Sequence, residues 1–276
     1  MEIVIGNCNG KLLACTLGMQ KGVYLKEKIL YEDKNNTIIS SAISGDYIIF
    51  SMKVRNNCVY SDKNIGLNEI GIYNIKTKGC KIYKTKLCKN ITSIVPVYPG
   101  RFYVSSGKTN ALISFQFNLH TLEIESEKIH FELDEKPHNC YFSSVYNFNG
   151  RWFGSLYSIH NDTSGCVIEL SNQRIIYSGL SKPCNVMFNK HERLCFTDFY
   201  KMVLIYGDSI FKFKTFPICF VESETGNLLI SFSGLSENYL GYFSIEDQEI
   251  TQKFHTNNQI NTVLVLKNEH KKLIFE

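Results

Sequence analysis

Two residues of this 276-residue chain combine a reactive side chain with a position at the start of an apolar run. His138 opens the run HNCYF, and an imidazole that titrates near neutral pH can act as a general acid or base. Cys184 opens the run CNVMF, and a thiol beside a base can act as a nucleophile. The sequence therefore predicts His138 and Cys184 as catalytic candidates, with structural roles for both as the alternative.

Polar residues at the corresponding places of other apolar runs could bind a ligand. Hydroxyl and amide groups that converge on one site can hold a polyhydroxylated or carboxylated small molecule by hydrogen bonds. The alternative is that these side chains satisfy main-chain groups of nearby turns. The predicted ligand-binding residues are Thr37, Thr92, Asn139, Asn185 and Asn261.

The elements that carry these residues are short hairpins that recur along the whole chain. The runs TIISSAISGDYIIFS, ITSIVPVYPGRFYVSS and PICFVESETGNLLISFS each contain two apolar segments separated by a glycine-containing turn. Similar hairpins are predicted at both termini, in EIVIGNCNGKLLACT and INTVLVLKNEHKKLIFE. Self-similarity at a period of tens of residues is typical of repeat architectures.

Further strands follow the hairpins and become more polar along each repeat. Ala111–Phe117 and Leu122–Ile129, for example, are predicted as the third and fourth strands of one unit. Signals for helices are nearly absent. Four strands per unit, apolar first and polar last, predict an all-β fold: a single β-propeller of four-stranded antiparallel blades over residues 1–276.

The number of blades depends on how the termini are counted. The first repeat already looks complete, with strands predicted at Gly22–Leu25 and Lys28–Tyr31, and this favours seven blades. Six blades, with the terminal segments sharing one blade, is the alternative. In both arrangements the ring must close to cover its edge strands, so the termini are expected side by side.

The stretch PCNVMFNKHERLCFTDF, residues 183–199, resembles the repeat unit of the NHL, gluconolactonase (SMP-30) and streptogramin-lyase-like propellers. In gluconolactonase-like enzymes a Glu, an Asn and an Asp hold a divalent cation at the top of the channel, and Asn185 matches the Asn. Pro217–Ile218–Cys219 stand where the Asp is expected, and no early blade begins with Glu. The resemblance therefore implies a propeller, and we expect no cofactor, with a divalent cation at Asn185 as the remaining option.

Composition limits the partners that we expect. The formal charge is +4, and the densest basic run, residues 76–89, alternates with apolar residues as one face of a strand pair does, which argues against nucleic acid. No stretch approaches the ~18 apolar residues of a membrane span, and the N-terminus lacks a basic leader, so we expect no membrane and a cytoplasmic location. The ten cysteines are scattered without a CxxC pair, as reduced thiols would be.

Two functions remain open from the sequence. One is a binding module that holds a small polar, sugar-like molecule or a protein partner at the channel mouth. The other is an enzyme of the lactonase or lyase type that uses His138 and Asn185.

Overall fold

Six four-stranded antiparallel sheets form a ring. The computed structural model describes residues 2–7, 9–18, 23–54, 69–133, 140–158, 165–234 and 237–275. The innermost strands of consecutive sheets contact one another around the ring, and the last contacts the first. The predicted all-β propeller with four-stranded antiparallel blades is therefore confirmed.

The strands follow the predicted repeats closely. Blade 1 contains β1 (Glu2–Asn7), β2 (Lys11–Gly18) and β3 (Val23–Glu32), and blade 2 contains β4 (Asn36–Ser44), β5 (Tyr47–Val54), β6 (Glu69–Asn74) and β7 (Cys80–Lys84). Blade 3 contains β8 (Ile91–Tyr98), β9 (Arg101–Ser106), β10 (Ala111–Phe117) and β11 (Ile124–Glu132), and blade 4 contains β12 (Cys140–Phe148), β13 (Arg151–Ser158), β14 (Gly165–Glu169) and β15 (Arg174–Leu180). Blade 5 contains β16 (Pro183–Phe188), β17 (Leu194–Asp198), β18 (Val203–Tyr206) and β19 (Ser209–Lys212), and blade 6 contains β20 (Phe216–Glu222), β21 (Leu228–Ser233), β22 (Asn238–Ser244) and β23 (Glu249–Thr256). Strand β24 (Ile260–Val265) and helix α1 (Asn268–Phe275) complete the chain.

The favoured count of seven blades is wrong, because the two ends of the chain share blade 1. Strand β24 pairs antiparallel with β1, with Val4 opposite Leu264, and is the innermost strand of that blade. The first repeat looked complete because β3 is one long strand where the sequence predicted two. Strand β3 is the outermost strand of its blade, and it exposes Glu27 as well as Ile29. In the sequence, the charged residues in the middle of this strand resemble a turn between two shorter strands.

The C-terminal segment is a helix rather than the second strand of a hairpin. Helix α1 buries Ile274 and His270, and Ile274 packs in a cluster with Val4 of blade 1 and Phe50 of blade 2. Lys28 donates from Nζ to the main-chain oxygen of Ile274. The helix therefore covers the junction between blades 1 and 2.

The core lies between blades, where large side chains of one sheet meet the next. Phe102 and Phe115 stack with ring centroids 5.1 Å apart inside one such layer. Gly71, opposite Phe50 in the neighbouring strand, makes room for that ring, because a Cβ at Gly71 would lie 2.1 Å from Phe50 Cζ. Tight packing of this kind fixes the blades relative to one another.

Strand direction distinguishes the two ends of the ring. Each innermost strand begins at the end where the blade-to-blade connections and the turns between second and third strands lie. We call this the mouth end. The opposite, far end carries the turns between first and second strands and between third and fourth strands, and it carries α1.

Candidate functional site

Each innermost strand has an irregularity in its pairing close to where the strand begins, and β8 has a second one at Pro96–Tyr98. The register shifts fall at residues 38–40, 91–93, 142–144, 184–187 and 217–219, and in blade 1 at Asn261, which is skipped between Ile260 and Thr262. Such bulges leave main-chain groups outside the ladder, and these groups need other partners.

Three predicted ligand-binding residues lie in these bulges and bind the main chain of the next blade. Thr92 Oγ1 donates to Phe142 O at 2.8 Å, and Asn261 Nδ2 donates to Ile38 O at 2.6 Å. Asn185, which has a positive φ of 52°, donates from Nδ2 to Ile218 O. Each side chain therefore joins its own blade to the following one.

A serine that the sequence analysis did not select belongs to the same set. Ser143 lies in the bulge of blade 4 and donates from Oγ to Pro183 O of blade 5. The run CYFSSV contains this serine, but the sequence prediction placed the start of the innermost strand of blade 4 a few residues earlier, at His138 and Asn139.

At three of these four junctions, the residue that follows the bulge position accepts a second hydrogen bond; Val186, which follows Asn185, has no polar side chain. Ser93 Oγ accepts from Val145 N at 3.0 Å, Ser144 Oγ accepts from Val186 N at 3.0 Å, and Thr262 Oγ1 accepts from Ser41 N at 3.2 Å. Each pair of side chains thus satisfies one carbonyl and one amide of the next blade. We call this arrangement the blade latch.

The remaining predicted residues do not join the described latches. Thr37 lies in β4 opposite Lys53, before the bulge of its blade, where the equivalent position is Ile39. His138 and Asn139 lie outside the described residues, so the structure does not test the predicted pairing of His138 with Cys184. Ligand binding by the predicted set stays a prediction.

Cys184 is held as a protonated thiol. Its Sγ lies 3.5 Å from Lys182 O, in hydrogen-bonding contact, and the side chain is half-buried. The pKa of Cys184 is raised to about 11, chiefly by burial; Lys182 and a hydrogen bond with Ser143 lower this pKa, and nearby Asp198 raises it. A nucleophilic cysteine needs the opposite shift, toward the thiolate.

Asp198 fixes the connection that enters blade 5. Its carboxylate is fully buried and accepts from Ser181 N and Lys182 N, both at 2.9 Å. These two main-chain donors, with the Lys201 ammonium 4.0 Å away, compensate the charge of the buried carboxylate, so Asp198 orders the chain around Lys182.

Lys182 is surrounded by aromatic rings at the mouth end of blades 4 to 6. Its Nζ lies 4.8 Å from the ring centroid of Phe199, 5.4 Å from that of Tyr157 and 5.6 Å from that of Tyr200. Further rings extend the patch, since Tyr141 stacks on Tyr157 and Phe216 stacks on Phe199. The Lys182 cluster is defined as Tyr141, Tyr157, Lys182, Phe199, Tyr200 and Phe216.

The cluster is open to solvent. Tyr200 is 52% exposed, and the other members are half-buried. Trp152 is not part of this surface, because it packs against Tyr103 of blade 3, with ring centroids 4.6 Å apart. The mouth end therefore presents an aromatic surface with a lysine at its centre.

Among the residues that the structure describes, no group of three or more His, Cys, Asp or Glu side chains could hold a metal ion. Within that part of the chain, no helix has both the length and the apolar character needed to cross a membrane.

Comparison with known proteins gives the fold. No protein-family model matches the chain, and no curated protein matches it. A chain of the nidogen/laminin complex is similar in structure, with a TM-score of 0.70 and 10% identity, covering 95% of this chain and 97% of that chain.

Two other similar structures are a luciferin-regenerating enzyme and a calcium-binding regucalcin from Agrobacterium tumefaciens. The first has a TM-score of 0.59 and 12% identity, covering 82% of this chain and 78% of that one. The second has a TM-score of 0.57 and 10% identity, covering 78% and 73%. At identities of 10 to 12% these similarities show a shared β-propeller fold and no family.

Proposed function

We propose that this protein is a non-catalytic binding propeller that holds a protein partner at the mouth end of its ring. The observation that carries the proposal is the Lys182 cluster, a solvent-open aromatic surface built from three consecutive blades. Tyrosine is enriched at the centres of protein interfaces, where it combines a large apolar ring with a hydroxyl group. A surface of this kind on a rigid ring is suited to binding.

The groups that could perform chemistry at the same end support binding over catalysis. Thr92, Asn185 and Asn261 hold neighbouring blades together through the latches. The thiol of Cys184 has a raised pKa. These residues serve to keep the surface rigid, which lowers the conformational cost of binding.

A photo-crosslinking amino acid at Tyr200 tests the proposal in cells that make the protein. The matched control carries the same crosslinker at Ile175, which is 60% exposed on the outermost strand of blade 4. We expect one protein adduct of defined mass from position 200 and none from position 175. Identical adduct patterns at both positions, or none at either, would refute the mouth-end site.

The second candidate is a lactonase-type enzyme, and its support is the fold shared with a putative 6-phosphogluconolactonase from Bacteroides fragilis, at a TM-score of 0.56 and 9% identity. In this form of the proposal a small polar ligand binds at the predicted residues Thr37, Thr92, Asn139, Asn185 and Asn261. Hydrolysis of a panel of sugar lactones, with and without Ca²⁺, distinguishes it. Turnover that is lost in Asn185→Asp at unchanged stability would favour the enzyme, and absence of turnover would favour the binding module.

A further inference from the structure

We propose that the segment bound by the Lys182 cluster is acidic, a stretch of a protein partner rich in Asp and Glu. This inference rests on the proposed function and adds the chemistry of the partner. It is carried by two independent features of the mouth end, the distribution of charge and the arrangement around the lysine ammonium.

Lysines dominate the described segments that connect strands at the mouth end. These lysines are Lys34, Lys86, Lys89, Lys108, Lys182, Lys201 and Lys214. Lys182 is half-buried, and the other six are exposed. The acidic residues of the same described segments, apart from buried Asp198, are Asp33 and Glu237. Asp33 accepts from Asn35 N and Asn36 Nδ2 at 2.8 Å, and Glu237 lies 3.5 Å from Lys253.

At the far end, opposite charges are paired with one another. Lys76 lies 2.7 Å from Asp46, and Arg151 Nε lies 2.8 Å from Glu169. Arg193 and Asp208 form a third pair. The positive charge of the described connections is therefore concentrated at the mouth end, where it can attract an anionic segment.

The aromatic rings prepare Lys182 to bind a carboxylate. Contacts with three rings restrict a side chain that is otherwise flexible, so less rotamer freedom is lost when a partner binds. An ammonium group has three donors, and a carboxylate that reaches it forms a charge-assisted hydrogen bond. The surrounding rings provide apolar contact for the rest of the partner segment.

The same arrangement favours an acidic peptide over a nucleic acid. Bases bind such surfaces chiefly by stacking on free aromatic faces. Here Lys182 lies against faces of Phe199, Tyr157 and Tyr200, and Phe216 covers part of Phe199. The group at the centre is the half-buried ammonium of Lys182, and its charge complements that of a carboxylate.

Fluorescence anisotropy with labelled peptides tests the inference on the full chain. The probes are a fluorescein-labelled Glu-Gly repeat peptide, its Gln-Gly counterpart and a single-stranded oligo(dT) of equal length. We expect the Glu peptide to bind, the Gln peptide to bind at least about 5-fold more weakly, and the Glu affinity to fall as NaCl rises from about 50 to about 500 mM.

Two variants with the same change of charge separate the site from a general effect. We expect Lys182→Gln to weaken binding of the Glu peptide by about 5-fold. Lys190→Gln removes an exposed lysine at the far end, and its affinity should match the unsubstituted protein. Thermal denaturation of both variants checks that they are folded.

Three outcomes would overturn the inference: no preference for Glu over Gln, equal effects of the two variants, or tighter Lys182-dependent binding of oligo(dT). If the Tyr200 crosslinker still captures one partner, the mouth-end site stands and only its acidic chemistry is refuted. If both experiments are negative, the proposed function is refuted as well.

Discussion

Asn261 in the last strand of the chain donates from its side-chain amide to the main-chain oxygen of Ile38, 2.6 Å away in blade 2. The bond joins blade 1 to blade 2, and it repeats what Thr92 and Asn185 do at other junctions between blades. Small polar side chains in the bulges therefore set the distance between blades from the channel side, while aromatic layers set it between the sheets.

We expect Asn261→Ala to lower the free energy of unfolding by about 1 to 2 kcal/mol, because Ile38 O loses its partner next to the channel. Asn257→Ala, on an exposed residue of the preceding connection, is the control and should change stability by less than about 0.5 kcal/mol. Urea unfolding of the two variants and the unsubstituted protein measures both. Equal stabilities would show that the latch contributes nothing at this junction.

The C-terminal helix should contribute substantially to stability. Ile274 is 2% exposed and packs against blades 1 and 2, so Ile274→Ala is expected to cost about 2 to 4 kcal/mol. Ile210→Ala makes the same change at a residue that is 58% exposed and should be nearly neutral. Similar unfolding midpoints for the two variants would contradict the described packing of α1.

Acid should remove one specific interaction at the far end. Hydrogen bonds from Arg151, and further ones from Asn172 and Ser171, lower the pKa of Glu169 from 4.5 to about 2. A lowered pKa stabilises the folded protein fully above pH about 4.5, and this contribution disappears as the pH falls towards 2.

Glu169→Gln removes this titration without changing the size of the side chain. The unfolding free energies of the variant and the unsubstituted protein should differ at pH 7 and converge as the pH approaches 2. Denaturant unfolding across this range measures the difference. A gap that stays constant from pH 7 to pH 2 would show that Glu169 has an ordinary pKa.

The thiol of Cys184 should react slowly. With a pKa of about 11 it carries far less thiolate at neutral pH than free cysteine, and the thiolate is the reactive form. We expect iodoacetamide to modify the Cys184 peptide more slowly than free cysteine at neutral pH, as followed by mass spectrometry, and faster in urea-unfolded protein. Alkylation faster than free cysteine would revive the nucleophile hypothesis.

The blade architecture could be predicted because its signals are local. Gly45, Gly100, Gly150 and Gly226 mark the hairpin turns in the sequence, and all four adopt positive φ in the structure. The burial of inner strands and the polarity of outer ones follow from the same short segments. Local patterns of this kind identify a repeat without any knowledge of which blades are neighbours.

The blade number and the Lys182 cluster depend on contacts between distant segments. No local feature of Ile260–Val265 indicates that its partner is Glu2–Asn7. The rings of Tyr157, Phe199 and Phe216 come from three different blades and meet only through the ring. Likewise, the sequence predicted polar residues near the mouth end. It could not show that a bulge places the Asn185 side chain within hydrogen-bonding distance of Ile218 O in the next blade.

The sharing of blade 1 by the two ends of the chain has a consequence for biosynthesis. Strand β1 leaves the ribosome before its inner partner β24, and all of blades 2 to 6 are synthesised between the two. Until then the inner edge of β1 lacks its native partner, and open edges of this kind are templates for aggregation. Nascent chains that stop before Ile260 therefore lack the strand that closes the ring and are natural substrates for chaperones and proteases.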